Sequence, residues 1–224
     1  MEETNTNKAR ILNIVFSVLL FGGLWGIVEA TLGTLLHMPF IHRTMFLSST
    51  TILVPIAYFL MGACYKKTGT FRSVLYMGLF AAAIKAISCA IFKMSFNPVF
   101  YMLIEALAMG TALLVIRPKQ IISFAGLGAM IMANFIYLGA STFLRMNVLT
   151  STPAQVLANV ETYVFKFNCV AILYTFAFGA VLFGVIKLAE ARKWNFDSVK
   201  KVIFHPAFAG SMGVIALVVT LVLR

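Results

Sequence analysis

Long apolar stretches separated by short polar links occupy almost the whole chain. Seven of them approach or exceed the roughly 20 residues that a helix needs to cross the hydrocarbon core of a bilayer. The links between the first six are too short to hold a soluble domain. This pattern predicts an all-α membrane protein. The predicted spans are Ile11–Leu36, Met45–Tyr65, Val74–Phe92, Pro98–Ile116, Ile121–Leu144, Val160–Leu188 and Pro206–Leu223.

Composition agrees with this pattern. Of the 224 residues, 61% are hydrophobic and 11% are charged, and the mean hydropathy is +0.96. An average soluble domain is about 45–50% apolar and about 25% charged. The composition therefore excludes a soluble globular domain, a disordered chain and a disulfide scaffold. The first apolar stretch is too long for a signal-peptide core and lacks a cleavage site, so we expect it to be a retained span.

Lys and Arg are unevenly divided between the two sides of the predicted bundle. Twelve of them fall in the N-terminal segment and in the links after spans two, four and six, against four on the other side. Cytoplasmic loops concentrate these residues, so the N-terminus is predicted inside and the C-terminus outside, in a multi-pass protein of the inner (plasma) membrane. The same bias accounts for the net charge of +11 without a nucleic-acid partner.

Two segments near the C-terminus have patterns of their own. Thr152 and Pro153 form a helix start signal that predicts a sixth helix from Pro153, longer than the bilayer core is thick. In Trp194–Phe204, apolar residues recur at helical spacing beside lysines, which suits a helix on the cytoplasmic surface or a plain connector. We therefore divide the chain into a six-helix bundle (1–189) and a C-terminal part (190–224) that adds a seventh span.

Four ionisable residues lie inside or near predicted spans: Glu29, Lys85, Glu105 and Lys166. At about 1.5 Å per residue, the first three lie about 12 Å below the outer boundary and Lys166 nearer the outer rim. Ionisable groups at such depths are costly and commonly mark function. We therefore predict a substrate-binding site in the outer half of the bundle. Its predicted residues are Glu29, Lys85, Glu105 and Lys166 with Trp25, Asn134, Tyr137 and Asn168.

A packing role for the same charges is the alternative interpretation. Lys85 can pair with Glu105 or with Glu29 as a buried clamp that fixes how the helices pack. The two interpretations are compatible if a ligand competes for the pair.

Small residues recur on one side of the first span. Gly22, Gly26 and Ala30 are spaced four apart, which lets another helix approach closely. That helix belongs either to the same bundle or to a docking partner.

The sequence carries no catalytic motif. It contains no GxSxG, HExxH or P-loop pattern, so we predict that the protein is not an enzyme and that any ATP-derived energy comes from another chain. His37 and His42 flank the first outer link, but their spacing fits no recognised metal site. We predict neither a metal nor a cofactor.

Three segments resemble a known family. The phrases GGLWGIVEATLGTLLH, AAAIKAIS and NPVFYMLIEALAMG resemble the first, third and fourth spans of uncharacterised proteins similar to the S components of energy-coupling factor (ECF) transporters. The resemblance covers roughly Ile11–Leu188, and the seventh span is not standard for the family.

The resemblance implies a function. S components bind a vitamin or similar micronutrient from outside, associate with a transmembrane coupling subunit and two ATPases, and topple in the membrane to release the ligand. It implies high-affinity substrate binding here, and it places Gly22, Gly26 and Ala30 against the coupling subunit. The alternatives are a solitary transporter in which Glu29 or Glu105 carries a proton, and a non-transporting assembly or interaction protein.

Overall fold

The computed structural model describes residues 2–36, 49–91, 93, 95–147, 160–192 and 205–222, and it leaves out some side chains near the helix ends, among them those of 160–168. The described part is helical and contains no strand. Each predicted stretch contains one helix. The helices are α1 (Glu2–Leu36), α2 (Ser49–Thr68), α3 (Phe71–Ile91), α4 (Asn97–Ile116), α5 (Phe124–Asn147), α6 (Val160–Ala191) and α7 (Pro206–Val222).

Four helices are long and apolar enough to cross a membrane, as expected for a multi-pass membrane protein. Their apolar parts are Asn7–Leu32, Phe71–Ile91, Asn97–Ile116 and Phe124–Leu144. The first helix begins at Glu2, well before the predicted Ile11, because hydropathy marks the part of a helix inside the bilayer and not the helix itself. The predicted segments 153–159 and 194–204 lie outside the described residues.

The order of helix contacts describes a closed bundle. Going around it, α1 packs on α3, α3 on α4, α4 on α5, α5 on α6, α6 on α2, and α2 on α1. Helix α2 also contacts α3, α4 and α5 across the middle. Helix α7 packs mainly on α1 and to a smaller extent on α3.

Apolar side chains occupy both the interior and the outer surface of this bundle. Large residues such as Trp25, Tyr58 and Met109 are buried in the core, while Leu79, Val115 and Phe143 are exposed on the outside. A helix that is hydrophobic on all sides suits a protein surrounded by lipid. Polar side chains buried inside such a bundle therefore stand out as candidates for function.

The small residues of α1 pack against helices of the same chain. A Cβ added to Gly22 would lie 2.8 Å from Phe80 of α3, and one added to Gly26 would lie 3.2 Å from Ala216 of α7. Ala30 is buried as well. This is the packing role that the sequence left open. A partner could dock on this face only if α7 moved away, so docking through these residues stays a prediction.

The close approach of α3 and α4 depends on a glycine. A Cβ at Gly78 would overlap the Cβ of Ala106. We expect Gly78→Ala to lower the free energy of unfolding by about 1–3 kcal/mol, because the helices must move apart. Thermal unfolding in detergent micelles measures this. Gly128→Ala on α5 is the matched control, because no described atom lies within 4 Å of its added Cβ. Equal melting temperatures for the two variants would contradict the prediction.

Candidate binding site

An ion pair joins α1 and α3 inside the bundle. The Nζ atom of Lys85 lies 3.9 Å from Oε2 of Glu29, and their side chains are only 6% and 15% exposed. Both residues lie in the C-terminal halves of their helices. Of the two clamp partners that the sequence left open for Lys85, the structure shows Glu29.

A second carboxyl group lies beside this pair. Glu105 of α4 is buried, and the Tyr137 hydroxyl of α5 donates a hydrogen bond to its carboxyl group. Its Oε2 atom has no hydrogen-bond partner among the described residues. Glu105 is also close enough to Glu29 for their charges to interact. The pair and Glu105 therefore form one site and not two separate features.

Sequence reasoning missed Tyr58 of α2. This tyrosine is fully buried, it interacts electrostatically with Glu105 and Tyr137, and its hydroxyl has no partner in the described part of the chain. A tyrosine in the middle of an apolar span is the signal that could have found it, because a buried hydroxyl group needs a partner. We call Glu29, Lys85, Glu105, Tyr58 and Tyr137 the polar cluster; its members come from the first five helices.

Two further polar atoms near the polar cluster lack partners. The indole Nε1 of Trp25 and the hydroxyl of Ser88 are buried without a hydrogen bond to any described residue. Trp25 lies about one turn from Glu29 on α1, and Ser88 about one turn from Lys85 on α3. Buried polar groups are nearly always hydrogen-bonded in proteins. Several buried polar groups without a partner on these helices therefore indicate a place where a ligand can supply the partners.

The remaining predicted site residues divide into two groups. Asn134 is buried on α5, about one turn from Tyr137. Lys166 and Asn168 belong to α6, but their side chains lie outside the described residues. The structure thus brings together Glu29, Lys85, Glu105 and Tyr137, with Trp25 and Asn134 one turn away along their helices.

The charges of the polar cluster do not balance. It contains two carboxyl groups and one ammonium group, and the ammonium group pairs with Glu29. Glu105 is left with a neutral donor, Tyr137, for one of its oxygens. A buried carboxylate is stable only if its charge is compensated, so this carboxyl group must either hold a proton or receive a hydrogen bond from a charged or polar group. The carboxyl group can therefore donate a hydrogen bond when it holds a proton and accept one when it is ionised.

Comparisons with protein-family models, with curated proteins and with solved structures find no match. The function of the chain therefore has to be inferred from the geometry of its own residues. The resemblance to S components stays a prediction.

Metal ligands do not cluster in the part of the chain that the structure describes. No group of three or more His, Cys, Asp or Glu side chains comes together there. His37 and His42, in the link between α1 and α2, lie outside the described residues.

Proposed function

We propose that the protein is the substrate-binding membrane subunit of an uptake system, and that it binds a small, vitamin-like molecule at the polar cluster. The observation that carries this proposal is the unpartnered Oε2 of Glu105, buried beside the Glu29–Lys85 pair and near the unpartnered Tyr58 hydroxyl. A clamp that only fixes helix packing needs Glu29 and Lys85. It gives no reason for a second buried carboxyl group.

The polar cluster suggests the class of ligand. In its ionised form Glu105 offers an acceptor, so the ligand should carry a hydrogen-bond donor that compensates the carboxylate, such as an amine, an amidine or a ring N–H. The buried faces of Trp25 and Tyr58 offer apolar and aromatic contact around it. A mostly apolar pocket with a few convergent polar groups is the usual design of a small-molecule site. Because Lys85 and Glu29 provide both signs, a zwitterion also fits.

Energy would come from partner proteins. The chain has no nucleotide-binding motif, so ATP-derived energy would come from another chain. The resemblance to S components implies that the partners are a coupling subunit and two ATPases. In the arrangement described here, α7 covers the part of α1 around Gly23 and Gly26. A coupling subunit would therefore approach another face or displace α7.

Native mass spectrometry of protein gently extracted from its own membrane tests the proposal. We expect a bound small molecule together with a coupling subunit and ATPases. A bound ligand without partners, combined with uptake that stops when the proton gradient is dissipated, would indicate a solitary transporter in which the buried Glu105 carries the proton. If extraction losses were excluded, the absence of both ligand and partners would leave the polar cluster with a packing role.

A further inference from the structure

A cavity of about 790 Å³ lies at the other end of the bundle from the polar cluster. It is formed by the second half of α2, the link between α4 and α5, and the second half of α6. The N-terminal part of α1 reaches the same end, because Asn13 donates a hydrogen bond to the Lys67 carbonyl. The cavity is therefore separate from the polar cluster, and its function is independent of the one proposed above.

The cavity is a groove with an apolar interior and a basic rim. On α2, its lining residues from Ile56 to Lys66 recur along one face of the helix, and on α6 the lining extends from Phe178 to Lys187. Several of the α6 residues are exposed, including Val181 and Phe183, so the groove opens sideways toward the surrounding membrane. None of the described lining residues is acidic. The lining consists of Ile56, Phe59, Leu60, Ala63, Lys66, Gln120, Ile121, Ile122, Phe178, Val181, Leu182, Phe183 and Lys187.

The rim lies where a membrane surface is expected. Lys66 is close to the end of α2 and Lys187 is close to the end of α6, so the two ammonium groups mark one level. The Lys187 ammonium lies 5.8 Å from the centre of the Phe183 ring, which holds it beside the groove. The side chains of Lys67, Arg72, Lys119 and Arg192 are exposed at the same end of the bundle. This end is therefore strongly positive.

The depth of the groove matches one leaflet. Ten residues separate Ile56 from Lys66, which corresponds to about 15 Å along the helix. The hydrocarbon core of a bilayer is about 30 Å thick, so one leaflet occupies about 15 Å. An acyl chain that follows α2 would thus place its headgroup at the level of the two lysines.

We propose that this groove binds an anionic phospholipid of the adjacent leaflet. Its phosphate lies beside Lys66 and Lys187, its headgroup oxygens accept a hydrogen bond from the Gln120 amide, and an acyl chain lies against Phe59 and Leu182. Charge complementarity selects the lipid, since basic pockets between transmembrane helices recognise anionic headgroups. The lateral opening admits a lipid without passage through water.

Native mass spectrometry of the full-length protein with added lipid tests this proposal. The probes are phosphatidylglycerol and phosphatidylcholine with identical acyl chains. We expect phosphatidylglycerol to be retained about tenfold more than phosphatidylcholine. The double variant Lys66→Gln, Lys187→Gln should lose this preference. The double variant Ala63→Phe, Leu60→Phe should lose both lipids, because the larger rings fill the apolar part of the groove.

A matched control separates the groove from general surface charge. Lys8→Gln, Arg10→Gln removes the same charge from exposed positions at the same end, away from the groove. It should retain the preference for phosphatidylglycerol. The proposal would be overturned if both charge variants lost the preference for phosphatidylglycerol to the same extent. It would also be overturned if the Lys66→Gln, Lys187→Gln variant kept that preference. Capture of a protein and not a lipid by a photo-crosslinking residue at position 183 would also overturn it. Thermal unfolding of each variant confirms that the fold is intact.

Discussion

Replacing Lys85 by Met is expected to lower the free energy of unfolding by about 3 kcal/mol, because it leaves the Glu29 carboxylate buried without its cation. The ion pair spans α1 and α3 in a part of the bundle that both lipid and water hardly reach. Unfolding by heat or by a denaturing detergent in micelles measures the change. Lys93→Met is the control, since Lys93 is exposed after the end of α3 and should change stability by no more than about 0.5 kcal/mol.

Variants of both partners distinguish a clamp from a ligand site. Glu29→Met, Lys85→Met should recover most of the lost stability, because no buried charge is left without a partner. The exchange Glu29→Lys, Lys85→Glu should also recover stability. If the pair serves only packing, the exchanged protein works normally; if the pair contacts the ligand, the protein folds but does not retain it. A Lys85→Met variant as stable as the parent would contradict the expected effect.

Replacing Glu105 by Gln is expected to reduce retention of the native ligand by about 10- to 100-fold. A hydrogen bond to a charged group is worth about 1.5–3 kcal/mol, and each 1.4 kcal/mol is a factor of ten in binding. Glutamine keeps the size of the side chain but removes its charge, so the fold should be preserved. The measurement is the fraction of protein that carries the ligand after extraction from the host membrane.

A second pair of variants tests how Glu105 is oriented. Tyr137→Phe removes the hydroxyl group that donates to the Glu105 carboxyl, and we expect a several-fold weaker retention of ligand. Tyr76→Phe makes the same chemical change on the exposed side of α3 and should have no effect. Glu105→Gln protein that unfolds easily but still carries its ligand at parental occupancy would assign Glu105 to packing.

Hydropathy alone predicted the helices well. Each of the seven apolar stretches overlaps a helix in the described residues, and four of these helices are long and apolar enough to cross a membrane. Pro98 lies in the first turn of α4, as predicted. This works because a bilayer demands a minimum apolar length, which can be counted along the chain. The minimum apolar length does not locate the parts of a helix that lie outside the membrane. The start of α1 at Glu2 therefore could not be predicted from hydropathy.

The sequence gives an estimate of how deep the candidate site residues lie, but it does not say which way their side chains face. Depth follows from the number of residues between a side chain and the end of its span, so Glu29, Lys85 and Glu105 could be placed at one level from sequence. Which side chain faces which depends on how each helix is rotated about its axis. That rotation decides that Lys85 pairs with Glu29, and that Glu105 accepts a hydrogen bond from Tyr137.

The sequence by itself therefore determined the class of protein, the approximate positions of its helices and the presence of Glu29, Lys85 and Glu105 inside apolar helices, because each of these depends on the order of residues along one chain. Only the tertiary structure showed that Tyr58 joins the polar cluster, that Gly22 and Gly26 pack on helices of the same chain, and that Lys66 and Lys187 share the rim of one groove. These features are contacts between helices that are far apart in sequence. They arise from helix packing, which the hydropathy of single segments does not encode.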